Sequence, residues 1–320
     1  MSCKKHLYLF DYHHTERELC RLESQYLFGE KVGEKLLLSD STFEPSISAF
    51  IKKRLDIISI SRDYESLLEM IEKASIAAAG FKVEYLVFAG DTTGYPERLN
   101  KLRDIGFRIE GIPDYHNPQS IYALCLYEGD WVFGKLIKDS FAWHKHKQKP
   151  HSYSNSISNS IAKALVNIAA QGKKELKLLD ACCGVGTIML EACYAGYQIE
   201  GCELNRKICD DARKNLAHFQ YSAAVFRSDI GDLAFRYDAV IIDLPYNLLS
   251  DATDSDITHI IESTALLTDR MAIVSTADIA VAIDEAGFKV VDHCSVKKKG
   301  KRNFFRRVWV CEKMPKSLPV

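Results

Sequence analysis

The stretch LLDACCGVGT, residues 178–187, places a carboxylate, Asp180, just ahead of a Gly-x-Gly turn formed by Gly184 and Gly186. An apolar run leads into the turn, and a helical pattern opens at Thr187. Glycines at such a turn let the backbone approach a ligand closely, and the helix start presents free N–H groups. Glu203 ends the next apolar run, 19 residues beyond Gly184. An ionised acid there can accept hydrogen bonds from both hydroxyls of a ribose. Asp229 ends a third run in FRSDI, placed to accept from an adenine amino group with Ile230 beside the ring. Asp243 ends a fourth run in YDAVIIDLPYN, residues 237–247.

Two observations bear on the ligand. A dinucleotide fingerprint needs a third glycine where this chain has Met189. Asp180 would repel a pyrophosphate but attract an ammonium or a sulfonium. S-adenosylmethionine (SAM) therefore fits the turn better than NAD. The plain alternative for the turn alone is a strand-to-helix connection without a ligand.

The tetrapeptide Asp243-Leu244-Pro245-Tyr246 has a chemistry of its own. An exocyclic amino group on a nucleobase is a weak nucleophile, because its lone pair is conjugated with the ring. Acceptors for both N–H groups localise that lone pair and stabilise the positive charge that develops during transfer. Asp243 supplies one acceptor. The carbonyl of Leu244, held extended by Pro245, supplies a second. Tyr246 offers a face on which a flipped base can stack.

These residues need a sheet to hold them. From residue 157 the chain alternates strands and helices, beginning with the helical ISNSIAKALVNIAAQG. The strand patterns are LKLLD, YQIEGCEL, AAVFRSDI, YDAVIID, RMAIVST, FKVVDHCSV and FFRRVWVCEK. This order predicts an α/β, doubly wound, Rossmann-like sheet of seven strands with helices on both faces. The last two strands are joined by a short loop, so one of them should run antiparallel. In such a sheet ligands bind outside the carboxyl ends of the strands. Residues 1–140 mix strands and helices as a smaller α+β domain, with a hairpin turning at Glu128-Gly129-Asp130. Residues 141–156 form a polar, basic connector and residues 157–320 the second domain. His144, His146 and His151 in the connector invite a metal, but no carboxylate or cysteine is interleaved with them, so a basic linker is expected.

The chain has 320 residues, 42 basic and 43 acidic, with a net charge of -1. That balance excludes a wholly basic nucleic-acid binder and leaves room for a local basic patch. Ten cysteines without a CxxC pair suggest reduced, buried thiols in a cytoplasmic protein, and no metal site is expected. No apolar run reaches the ~18–20 residues of a membrane span, so no membrane association is expected.

The second half resembles the class I SAM-dependent methyltransferases of the amino-group type. Within them it is similar to the tRNA guanosine-N2 methyltransferases and related RNA methylases. KPHSYSNSISNSIAKALVNIA resembles the family's segment before the glycine turn, LLDACCGVGTIMLEA its SAM motif, and DLPYN its catalytic motif. The match implies that Asp180, Gly184, Gly186, Glu203 and Asp229 bind SAM, with Cys182, Thr187, Leu204 and Ile230 beside them. It implies that His151, Tyr153 and Ser154 border the cofactor, and that Asp243, Leu244, Pro245 and Tyr246 form the catalytic turn. Leu244 stands where the family more usually has proline, and Asn247 where it has glycine. Such enzymes often carry an N-terminal THUMP-containing RNA-binding region, and the α+β pattern of residues 1–140 is similar to one.

VKKKGKRNFFRR, residues 296–307, holds seven lysines and arginines. Lys297, Lys298, Lys299, Lys301, Arg302 and Arg306 are expected to grip RNA phosphates, with the connector basics extending the track. The expected activity is methyl transfer from SAM to guanine N2 in RNA, with tRNA the expected partner. Adenine-N6 methylation of RNA or DNA, or RNA binding without catalysis, are the alternatives.

Overall fold

The computed structural model describes residues 5–153, 156–245, 254–297 and 304–315. The chain forms two compact units that exchange segments. The first comprises the chain up to Phe10, Glu34–Pro45 and Ile51–Ser140. The second comprises Asp11–Gly33, Ser46–Phe50 and everything from Phe141 onward.

The first unit is a six-stranded mixed sheet. Its strands are β1 (His6–Phe10), β2 (Leu36–Ser39), β3 (Ile51–Ser61), β4 (Phe81–Leu86), β5 (Ser120–Tyr127) and β6 (Asp130–Lys138), in the order β2-β1-β3-β6-β5-β4. Only β4 and β5 pair in parallel. The β5–β6 hairpin turns where expected, because Glu128 and Gly129 both take positive φ, 51° and 87°. Two helices, α2 (Tyr64–Lys73) and α3 (Tyr95–Gly106), complete the α+β unit, and Asp63 caps α2 by accepting from Ser66 N–H.

Helix α1 (Arg17–Phe28) belongs to the second unit, although it precedes five of the first unit's strands. The division at residue 140 that the linear pattern suggests therefore differs from the observed partition. Helix α1 buries Leu19, Leu22 and Leu27 along with one acid. Glu23 accepts from Asn167 Nδ2 (2.6 Å) on α4 (Asn159–Ala170) and from Ser48 Oγ (2.5 Å). A buried carboxylate must find such donors, and these lie in the second unit.

The second unit carries the predicted seven-stranded sheet. Its elements are β7 (Lys177–Asp180), α5 (Thr187–Tyr194), β8 (Gln198–Glu203), α6 (Arg206–His218), β9 (Val225–Arg227), β10 (Ala239–Asp243), α7 (Asp254–Leu267), β11 (Arg270–Ser275), α8 (Ala280–Glu285), β12 (Phe288–Lys297) and β13 (Phe305–Lys313). The strand order is β12-β13-β11-β10-β7-β8-β9. β13 runs antiparallel to both of its neighbours. Ala239 to Ile242 and Met271 to Val274 are completely buried, as parallel strands covered on both faces require. The chain runs outward from β7 through β8 to β9 and then returns to β10 beside β7, so the strand order reverses between β7 and β10.

The segment expected to be a connector is integral to this unit. Within a 3-10 helix over Ala142–Gln148, Trp143 and His146 are buried. His146 donates through Nδ1 to Glu191 Oε1 (2.9 Å) and meets Tyr221 Oη through Nε2 (3.0 Å). Glu191, fully buried on α5, also accepts from Asn159 Nδ2 (2.7 Å) and pairs with Lys163 Nζ at 3.6 Å. One of the three histidines that invited a metal is thus an internal hydrogen-bonding residue. All nine described cysteines are free thiols, and no described helix is long and apolar enough to cross a membrane.

Candidate active site

A cleft of about 620 Å³ opens at the carboxyl ends of β7, β8, β9 and β10. It lies where the strand order reverses, the usual position for a ligand in an open α/β sheet. Ile241 pairs with Asp180 across β10 and β7, which brings Asp243 to the same end of the sheet. Glu203 ends β8, and Asp229 caps the short 3-10 turn after β9.

The turn after β7 has the conformation its glycines suggest. Gly184 and Gly186 take φ of 53° and 81°. A Cβ on Gly184 would meet nothing within 4 Å, so this glycine opens onto free space, whereas Gly186 faces Ala212 on α6. Gly184 N–H donates to Glu203 Oε2 (3.1 Å) and Asn205 N–H to Oε1 (2.8 Å), which fixes the carboxylate against the turn. Met189, at the third-glycine position of a dinucleotide fingerprint, is fully buried. It occupies the space beside Gly201 of β8, where any Cβ would collide with its sulfur.

Four acids define the electrostatics. Asp180 is fully buried, and neither of its side-chain oxygens has a hydrogen-bond partner among the described residues. Burial drives its carboxyl well above the usual range, with Asp243 and Glu203 adding to the rise. Burial also raises Asp243 to about 7, opposed by the charge of Arg306. Glu203 is raised by burial against the N–H groups of Asn205, Gly184 and Leu204. Asp229 moves the other way: the hydrogen bond from His259 and the Gly231 N–H hold it low.

At the rim, Asn215 of α6 clamps the segment before α4. Its Nδ2 donates to the carbonyls of His151 and Val185 (both 2.9 Å), and its Oδ1 accepts from His151 N–H (3.0 Å). Tyr153 lines the cleft and donates to Asp211 Oδ2 (3.2 Å). His151 pairs with the same Asp211 at 3.3 Å.

Of the residues singled out from sequence, Tyr153, Cys182, Gly184, Thr187, Glu203, Leu204, Asp229, Ile230, Asp243, Leu244 and Pro245 line the cleft. Asp180, Gly186 and His151 are not among the residues that line it. Leu244 has two parts: its side chain is buried in the core, while its N–H donates to Val274 O (3.0 Å). Ser154, Tyr246, Asn247, Lys298, Lys299, Lys301 and Arg302 lie outside the described residues. Lys297 is exposed at the end of β12. Arg306 corrects an expectation: it is buried on β13, opposite Val296, with its guanidinium 5.3 Å from the Phe304 ring. An inward position on a strand cannot grip phosphate from solvent, and its charge acts on Asp243 instead. Sequence reasoning missed Asp256, His259 and Ile260, all on α7. Their i, i+3, i+4 spacing was a readable signal, but nothing in the chain order says that α7 folds over the cleft.

Residues 147–257 match the UPF0020 family model, described as an RMKL-like methyltransferase domain. Over 152 residues the chain is 31% identical to the tRNA (guanine(10)-N2)-dimethyltransferase of Methanothermobacter thermautotrophicus, covering 45% of this chain and 44% of that protein. The chain thus spans less than half the length of this curated relative. Among solved structures it is similar to TrmN from Thermus thermophilus, with 16% identity, a TM-score of 0.49, and coverage of 97% of this chain and 100% of that one. It is also similar to a predicted N6-adenine-specific DNA methylase from Listeria monocytogenes, with 11% identity, a TM-score of 0.45 and 96% of both chains covered.

Proposed function

We propose that the protein is a SAM-dependent methyltransferase that modifies an exocyclic amino group of a nucleobase, guanine N2 in tRNA. The observation that carries the cofactor reading is Asp180. A buried carboxylate with both oxygens unpartnered, close to two further acids, is costly unless a cation completes it. SAM brings an ammonium and a sulfonium, whereas NAD brings a pyrophosphate to the same turn. The remaining donors and acceptors fit the rest of SAM. Glu203 offers its carboxylate to the ribose hydroxyls, Asp229 accepts from the adenine amino group, and Gly184 leaves the backbone bare beside them. Met189 in place of a third glycine speaks further against a dinucleotide.

Bound in the cleft, SAM would supply an electrophilic methyl group on sulfur. The chain's own part begins with Asp243 and the Leu244 carbonyl, which accept the two N–H groups of the target amine and aim its lone pair. The amine gains positive charge as the new N–C bond forms, and Asp243 takes the proton that then leaves. The burial that raises this carboxyl toward 7 suits it to hold that proton near neutral pH. The choice of guanine N2 and of tRNA rests on the relative from Methanothermobacter. The start of β13 lies at the same end of the sheet as Asp243, two strands away through β11.

The test is Asp243→Ala. SAM affinity measured by calorimetry should change by less than about 3-fold, while transfer falls by about 10²–10⁴. Undiminished transfer would contradict the role of Asp243. Failure of the wild-type protein to bind SAM would leave an RNA-binding protein without catalysis.

A further inference from the structure

At the mouth of the cleft Asp229 has a partner, His259, that the proposed chemistry does not use. His259 Nε2 lies 2.8 Å from Asp229 Oδ1, and Gly231 N–H donates to the same oxygen, also at 2.8 Å. Both donors are thus spent on Oδ1, and no hydrogen bond to Oδ2 is found among the described residues. Asp229 and His259 both line the cleft, although they come from different elements, the turn after β9 and helix α7. The fit is tight: a Cβ on Gly231 would lie 3.3 Å from His259 Cε1. Ile260, the next residue on α7, lines the same cleft, and Ile261 is buried in the core, so the helix is anchored where His259 stands.

An exposed aspartate can rotate about its terminal torsion and share its two oxygens among donors. Asp229 has no such freedom while two N–H groups from separate elements hold one oxygen. Its second oxygen is left as a fixed, charged acceptor. A fixed acceptor rewards a ligand that donates at that point and penalises one that presents a lone pair.

We propose that His259 is a positioning residue that locks Asp229 as the reader of a 6-aminopurine, so that the site discriminates adenosine from 6-oxopurine nucleosides. The inference rests on the SAM reading above. His259 need not touch the ligand. It acts by fixing the carboxylate, which α7 can do only from its place over the cleft.

The experiment compares S-adenosylhomocysteine with S-inosylhomocysteine, which differ in the 6-amino or 6-oxo group and in the N1 proton that accompanies the oxo form. Binding of each is measured by calorimetry to the wild-type protein, His259→Ala and His259→Gln. The wild-type protein should prefer the adenosine compound by at least about 100-fold. His259→Ala should cut that preference by about tenfold or more, the range expected when a hydrogen bond to a charged group is lost. His259→Gln, which keeps a donor, should restore most of it. A role confined to stability would lower Tm or weaken both ligands alike without moving the ratio. A preference unchanged in His259→Ala overturns the inference alone. Binding of neither compound by the wild-type protein overturns the SAM reading and the inference together.

Discussion

Asp180 and Asp243 end adjacent parallel strands, and the Ile241–Asp180 pair sets them at one end of the sheet. Both carboxyls are raised by burial, and the charge of Asp243 adds to the rise at Asp180. Asp180 is fully buried, and Asp243 lines the cleft. The difference in position suggests a division of labour: Asp180 answers a cation, and Asp243 handles a proton.

The pH dependence of transfer follows from Asp243. Only the ionised carboxylate can accept the amine's proton, and its carboxyl lies at about 7. The rate should climb about tenfold per pH unit below neutrality and level off above it. Arg306 holds this carboxyl down, so Arg306→Gln should move the onset of the plateau to higher pH. Single-turnover rates between pH 5.5 and 9 check both statements. A plateau that moves down in the variant contradicts them.

The same acids tie stability to pH. Asp180, Glu203 and Asp243 are all raised in the folded protein, so it keeps protons that the unfolded chain releases at lower pH. That contribution is complete below the unfolded carboxyl range and shrinks as pH rises toward 7. The Tm of the ligand-free protein should therefore fall between about pH 4.5 and 7, unlike that of a protein held by salt-bridged carboxylates. Asp243→Asn should flatten part of the fall. Scanning fluorimetry across this range shows which sign holds.

Gly184 separates ligand binding from folding. Its positive φ costs a side chain roughly 1–2 kcal/mol, and a Cβ there would project into open space at the turn. Gly184→Ala should weaken SAM by at least about tenfold while lowering Tm by only a few degrees. An unchanged affinity would place the cofactor elsewhere.

Met189 and Gly201 are coupled through one volume. Gly201→Ala forces a Cβ onto the Met189 sulfur and should destabilise by about 1–3 kcal/mol. Met189→Ala empties the same space, at about 2–5 kcal/mol. The double variant should lose clearly less than the sum, as neighbours that share a volume do. Urea unfolding of the four proteins measures the coupling, and simple additivity would rule it out.

Much of the site was legible in the chain. Asp180, Glu203, Asp229 and Asp243 each close an apolar run, and strand ends in an alternating pattern converge at one edge of a parallel sheet. The hairpin at Glu128-Gly129 and the antiparallel last pair were legible for similarly local reasons. What stayed hidden depended on distant partners. Glu23 looks like an ordinary polar residue of a surface helix, yet it is buried and accepts from Asn167 and Ser48, both in the second unit. His146 looks like part of a basic linker until Glu191 is placed beside it. Arg306 sits in a run of cations, and only its register opposite Val296 shows that it points inward.

The central claim is that this site moves a methyl group from SAM to guanine N2 in tRNA. It is tested most directly by incubating the purified protein with methyl-labelled SAM and total tRNA and analysing the nucleosides by mass spectrometry. The account predicts label in N2-methylguanosine or N2,N2-dimethylguanosine, and at least about a hundredfold less with Asp243→Ala. Label in N6-methyladenosine, or no label in tRNA at all, would contradict it.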